Sequence, residues 1–236
     1  MPTTAPFSRP FLLRNTLLAL AALLAWDAGG LDLPLARLFG DAAGFALRDH
    51  WLLGPVMHEG GRLLGWLGAL LLCLGVWWPR GPLRGLARRH RLQLAVSTLA
   101  AALAVSVLKG FSSTSCPQEL ALFGRSAQYL SHWRWPGTAD GGSGHCFPAG
   151  HASAGFAFVS GWFAFRRAGL RGQADGWLLA ALAAGLLLGL AQQARGAHFM
   201  SHTLWSAWLC WVVAWAMDGL FNRQAAGRAA PSCLEP

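Results

Sequence analysis

The chain has 236 residues, of which 54% are hydrophobic and only 12% charged, and it carries a formal net charge of +9. A single soluble domain of this length cannot bury so much apolar surface, so the composition excludes an ordinary globular protein and indicates a polytopic membrane protein. The basic balance does not indicate a nucleic-acid partner, because the arginines fall in short clusters between apolar runs and not on one face.

A bilayer core about 30 Å thick needs roughly 20 mostly apolar residues per helical span. The apolar runs lack period-two alternation and are rich in Ala, Leu and Gly, which excludes a closed barrel and leaves helices. The expected fold is therefore all-α, with six transmembrane helices.

The first run, about Asn15 to Gly30, follows Arg9 and Arg14, which favour a cytoplasmic start. Its apolar part, Thr16 to Trp26, is short, and a cleaved signal peptide is the competing reading. Leu31 to Gly60 mixes apolar residues with Asp32, Arg37, Asp41, Arg48, Asp49 and Glu59, as an amphipathic segment lying at the interface would. It ends in a concentration of polar groups, His58-Glu59-Gly60-Gly61-Arg62, at the mouth of the second run, Leu63 to Trp78. Arg80, Arg84, Arg88, Arg89 and Arg91 then form the densest positive loop, and the third run, Leu92 to Leu108, stops at Lys109. A long polar segment follows. The fourth run opens at His151 and ends at Arg166-Arg167, the fifth covers Trp177 to Ala191, and the sixth covers Thr203 to Phe221.

With both termini inside, the inner side holds twelve arginines and the outer side six arginines and Lys109, in accord with the positive-inside rule. Cys73 and Cys210 fall within apolar runs and read as small buried thiols. A single integral domain over 1–236 is expected, with a core at about 60–221 and a polar tail at 222–236.

Pro148-Ala149-Gly150-His151-Ala152-Ser153-Ala154-Gly155 is the most distinctive stretch. A proline suited to the first helical turn and a glycine beside a histidine write an anion-attracting helix start at the membrane edge. By the same topology Lys109, His151 and His198 all emerge on the outer face. Ionisable groups at membrane depth are costly and mark function by default. A cation, a helix N-terminus and two imidazoles suit a phosphate ester, with charge to hold the anion and imidazoles to attack it and protonate the leaving oxygen. Zinc binding by the His198-x3-His202 pair has no third ligand in the pattern, and no metal site is expected.

At these positions the chain resembles the type 2 phosphatidic acid phosphatase and vanadium haloperoxidase superfamily, whose motifs are Lys-x6-Arg-Pro, Pro-Ser-Gly-His and Ser-Arg-x5-His-x3-Asp. Here they read Lys109-x6-Cys116-Pro117, Pro148-Ala149-Gly150-His151 and Ala191-Gln192-x5-His198-x3-His202. Cys116 and Gln192 stand where the motifs have arginine, Ala149 where they have serine, and His202 where they have aspartate.

The resemblance implies a PAP2-like helical core and a membrane phosphatase, without a cofactor, acting on a phosphate monoester or pyrophosphate of a membrane lipid. His198 would be the nucleophile that forms a phosphohistidine, His151 the general acid and Lys109 a phosphate clamp. Backbone amides at Ala149 and Gly150 would complete the anion site, and Arg195, with Arg125 or Arg134, is a candidate for the missing charge. His202 would fix the His198 tautomer, oriented in turn by Glu59 or Glu119. Cys116 and Cys146, brought together by folding of the motifs, would form a disulfide in an oxidising periplasm. The expected location is a bacterial inner membrane with both termini cytoplasmic and the site periplasmic. An inactive lipid-phosphate-binding protein and a lipid-to-lipid phosphotransferase are the alternatives.

Overall fold

The computed structural model of the protein describes residues 8–134 and 140–228. It is mostly helical. Helix α1 (Arg9–Ala28) is followed by the short α2 (Asp32–Ala36), a hairpin of β1 (Gly40–Asp41) and β2 (Gly44–Phe45), and a π-helix (Leu52–Gly60) that runs straight into α3 (Gly61–Gly75). Then come α4 (Arg88–Phe111), an outer segment with three 3₁₀ turns, α5 (Gly150–Phe156), a 3₁₀ turn (Ala157–Val159), α6 (Ser160–Arg167), α7 (Arg171–Ala194) and α8 (Met200–Arg228).

Four of these, α1, α4, α7 and α8, are long and apolar enough to cross a membrane. The second expected run forms only a 15-residue α-helix, and the fourth is divided between α5 and α6 by the 3₁₀ turn. The division lies beside a close helix crossing. A Cβ on Gly155 would fall on the backbone nitrogen of Gly185, so α5 and α7 cross with their backbones nearly touching. The turn just beyond leaves carbonyls to be satisfied, and the Trp177 indole donates to the carbonyl of Phe158 at 2.7 Å.

Helix α1 is built into the fold through α8. Trp211 Nε1 donates to Thr16 Oγ1 at 2.8 Å, and Trp208 Nε1 to the Thr16 carbonyl at 3.2 Å. Where one amphipathic interfacial segment was expected at 31–60, the chain makes α2, the tight hairpin and the π-helix. Its acidic groups turn inward. Asp32, 6% exposed, accepts the indole N–H of Trp26 and the backbone N–H of Ser201, each at 2.9 Å, and the Ser201 hydroxyl as well. The carboxylate thereby satisfies a free amide in the first turn of α8.

The main core lies among α4 to α8, with Leu94, Phe156, Phe163 and Phe165 fully buried. A second cluster, Ala36, Phe45, Leu120, Phe123, Ala127 and Phe199, joins the hairpin to the outer segment. Leu63, Leu64, Leu70, Leu71, Leu179 and Leu187 point outward, each more than half exposed, as suits side chains facing lipid. Near the end of α6, Arg167 forms a bidentate pair with the buried Asp218 of α8, at 3.0 and 2.6 Å, and Gln93 of α4 donates to the same carboxylate at 2.9 Å. Of the expected polar tail, the first residues continue α8 to Arg228, and 229–236 lie outside the described residues.

The α5–α7 crossing gives a direct check. Gly155→Ala should destabilise the protein by about 1–3 kcal/mol through overpacking. Gly176→Ala, whose Cβ would meet nothing within 4 Å, should leave the thermal unfolding midpoint in detergent unchanged or raise it.

Candidate active site

Four segments converge at the end of the bundle where α4 stops and α5 and α8 start. Lys109 lies in the last turn of α4, and its ammonium comes down over Gly150: a Cβ there would stand 3.5 Å from Lys109 Cδ and 3.9 Å from Nζ. His151 is the second residue of α5. His198 sits in the turn between α7 and α8, entered through Gly196 at φ +71°, where a side chain would also strike the Phe45 ring. The π-helix and the first turn of α3 deliver His58, Glu59 and Arg62.

His198 is 2% exposed, with its ring centroid 6.4 Å from that of His151. Cys116 and Cys146 are joined in a disulfide, which ties the end of the first motif to the entry of the second. The Cys146 sulfur lies 3.4 Å from His198 Nδ1. A disulfide sulfur carries no hydrogen, so the bond requires Nδ1–H as donor. That tautomer leaves the lone pair on Nε2, the nitrogen free to act as nucleophile. Burial, then the charge of Lys109 and the neighbouring imidazoles of His202 and His151, hold the His198 pKa well below the ordinary 6.5. The sulfurs and the His198 ring also lie within 4.8 Å of one another, but sulfur ligates metal as thiolate, and these two are bonded to each other.

The sequence model of the PAP2 superfamily matches residues 91–225, more than half of the chain. The chain belongs to the PAP2 superfamily. No curated protein and no solved structure matches it. Membership brings phosphatase-type activity, and the PAP2 motif positions Lys109, His151 and His198 are the ones gathered here.

The positions at which this PAP2 chain departs from the family pattern behave differently from expectation. Ala149 is fully buried and its amide donates to the His202 carbonyl at 3.1 Å, so it does not offer an anion-binding N–H. The amides of Gly150 and His151, in the first turn of α5, have no intrahelical acceptor. His202 does not bond His198: the rings are 5.8 Å apart and inclined at 67°, and neither His202 nitrogen has a partner among the described residues. The cause is packing. Its ring is wedged edge-on between His132, Phe147 and Phe199 and is fully buried.

Neither carboxylate suggested to orient His202 reaches it. Glu59 binds His58 Nδ1 and Arg62 Nη2, both at 2.8 Å, and Glu119 accepts the Cys116 amide at 2.9 Å and the Ser143 hydroxyl at 2.6 Å. The acid nearest in sequence of contacts is Asp27, which binds His132 Nε2 at 3.2 Å while His132 packs against His202. Gln192, in place of a motif arginine, is fully buried and accepts Arg195 Nη1 at 3.3 Å. Arg195 Nε also donates to the Arg48 carbonyl at 2.8 Å, so the guanidinium is fixed at the rim of the site. Arg125 and Arg134 are exposed on the outer segment and make none of the described contacts with the site histidines.

Sequence alone gave no reason to place His58 in the site, although the polar cluster around it was visible. Its ring stacks on His151 with centroids 3.9 Å apart. Its Nδ1 is bonded to Glu59 at 2.8 Å.

In a histidine titration followed by NMR in detergent micelles, with His198→Asn for assignment, the His198 resonance should remain that of the neutral ring at pH 6.5. Its midpoint should lie below that value. A midpoint at or above 6.5 would contradict the buried, cation-flanked setting.

Proposed function

We propose that this protein is a membrane phosphatase that hydrolyses a phosphate monoester or diphosphate of a lipid through a phosphohistidine on His198. The observation that carries this reading is the buried His198, held by sulfur at Nδ1, with His151 and the Lys109 ammonium beside it. In the proposed reaction Lys109 and the Gly150 and His151 amides hold the oxygens of the phosphorus under attack, and Arg195 binds the substrate on the leaving-group side. His198 Nε2 attacks phosphorus, His151 gives its proton to the leaving oxygen, and water then releases phosphate from the phosphohistidine. His202 acts from behind, by packing that fixes the turn carrying His198.

A lipid substrate is supported by an apolar groove of about 480 Å³ between α3, α5 and α7, lined by Met57, Leu64, Ala154, Phe158, Trp177 and Leu188. Met57 adjoins His58 in sequence, and Ala154 lies three residues past His151, so the groove starts at the site and leads along the bundle toward the hydrocarbon. The arginine clusters support six spans within one domain, both termini on the cytoplasmic side of a bacterial inner membrane, and a periplasmic site. In that arrangement α3 with the preceding π-helix, and α5 with α6, make the two spans beyond the four long helices.

His198→Ala should lower kcat for phosphate release by about a thousandfold or more, and His151→Ala by about a hundredfold. Acid-quenched reactions with labelled substrate should trap a phosphoenzyme in the wild type and none in His198→Ala. A folded protein that binds lipid phosphate yet releases none and forms no phosphoenzyme would be a binding protein. Phosphate recovered on an added lipid alcohol would indicate a phosphotransferase.

Orientation is tested separately. In a background with Cys73, Cys210 and Cys233 replaced by Ala, a cysteine at Gly141 should label with an impermeant thiol reagent in intact cells, and one at Gly85 should not. The reverse pattern would put the site on the cytoplasmic face.

A further inference from the structure

The charges around the site fall into two groups with His151 between them. Lys109 lies over Gly150, the residue before His151. His58 stacks on His151, and Arg195 reaches the same π-helix, its Nη2 3.9 Å from where a Cβ on Gly54 would stand. The second group is built rather than incidental. His58 is stacked on His151 at 3.9 Å and tied to Glu59, Glu59 is tied to Arg62, and Arg195 is anchored on the Arg48 carbonyl and Gln192.

The proposed reaction gives these positions a direction. His198 attacks from one side, and the oxygen that leaves does so toward His151, which protonates it. Whatever is attached beyond that oxygen therefore lies against His58, Arg62 and Arg195. For a phosphate monoester the next atom is a carbon of the lipid, and two guanidinium groups with an imidazole are a poor lining for it. For a diphosphate the next atom is a second phosphorus, whose anionic oxygens suit that lining. The apolar groove continues the order, because its first residues, Met57, Gly61 and Leu64, flank His58 and Arg62 in sequence. From His198 outward the surface thus offers a site for one phosphate, a site for a second, and then an apolar channel.

Building on the phosphatase reading, we propose that the substrate is a lipid diphosphate, with its inner phosphate seated by His58, Arg62 and Arg195. The Nε2 lone pair of His198 forms a bond to the terminal phosphorus. The bond from that phosphorus to the bridging oxygen breaks, and its electron pair stays on the oxygen, which takes the His151 proton. The products of this step are a lipid monophosphate and the phosphohistidine. Water then cleaves the N–P bond to give inorganic phosphate and restores the proton to His151. Glu59 is a positioning residue that holds His58 and Arg62 toward the inner phosphate.

The test is inorganic phosphate release by the full chain in detergent from an alkyl diphosphate and from the alkyl monophosphate of the same chain. The wild type should show a higher kcat/KM for the diphosphate. His58→Ala and Arg62→Ala should each lower the ratio of the two kcat/KM values by about tenfold or more, the size expected for loss of one charge-assisted contact. Glu59→Gln should shift the ratio in the same direction by less. Damage to the fold would lower both values together and leave the ratio in place, so an unchanged ratio in His58→Ala and Arg62→Ala overturns the inference. A wild type that prefers the monophosphate overturns it as well and leaves the phosphatase reading standing. A wild type that hydrolyses neither substrate removes both.

Discussion

A buried, neutral histidine presents its lone pair on one ring nitrogen only if its proton is held on the other. In this protein that constraint is met by the Cys116–Cys146 disulfide, whose sulfur faces His198 Nδ1. The same bond closes the outer segment, joining the 3₁₀ turn after α4 to the residues that lead into α5. One covalent link therefore sets both the tautomer of His198 and the approach of the Lys109 segment to the His151 segment. Sulfur is a weak acceptor and brings no charge, so it orients the ring without raising its basicity.

The remaining support for the turn comes from carboxylates outside the PAP2 motifs. Asp32 binds Ser201, the residue before His202, in the first turn of α8, and Asp27 binds His132, Trp133 and Trp205, of which His132 packs against His202. Both acids belong to the N-terminal helix and the short helix after it. The first part of the chain, which lies outside the family match at 91–225, thus supports the start of α8 next to the turn that carries His198. Short-range hydrogen bonds to rigid indoles and imidazoles cost little side-chain entropy, which suits a site that must hold its geometry at a membrane edge.

Charge at the mouth of the site is redistributed relative to the motif pattern. Gln192 keeps the motif position but not the charge, and one helical turn later Arg195 supplies a guanidinium that Gln192 itself holds. Arg62 arrives from a different helix and is steadied by Glu59.

The sequence by itself determined the helical membrane architecture, the gathering of Lys109, His151 and His198, and the family, because apolar run length, arginine clusters and motif spacing are local properties of the chain. It could not show that the fourth run breaks at the 3₁₀ turn, or that Gly155 meets Gly185 across two helices just before it. Nor could spacing reveal that His202, one turn from His198, tilts away from it, since that orientation is imposed by His132, Phe147 and Phe199. His58 is the clearest case. Its polar neighbours Glu59 and Arg62 were conspicuous in the sequence, but only the packing of α3 against α5 brought its ring onto His151, ninety-three positions further along the chain. Contacts between elements distant in sequence depend on how side-chain volumes fill the space between helices, and that is decided by the tertiary structure.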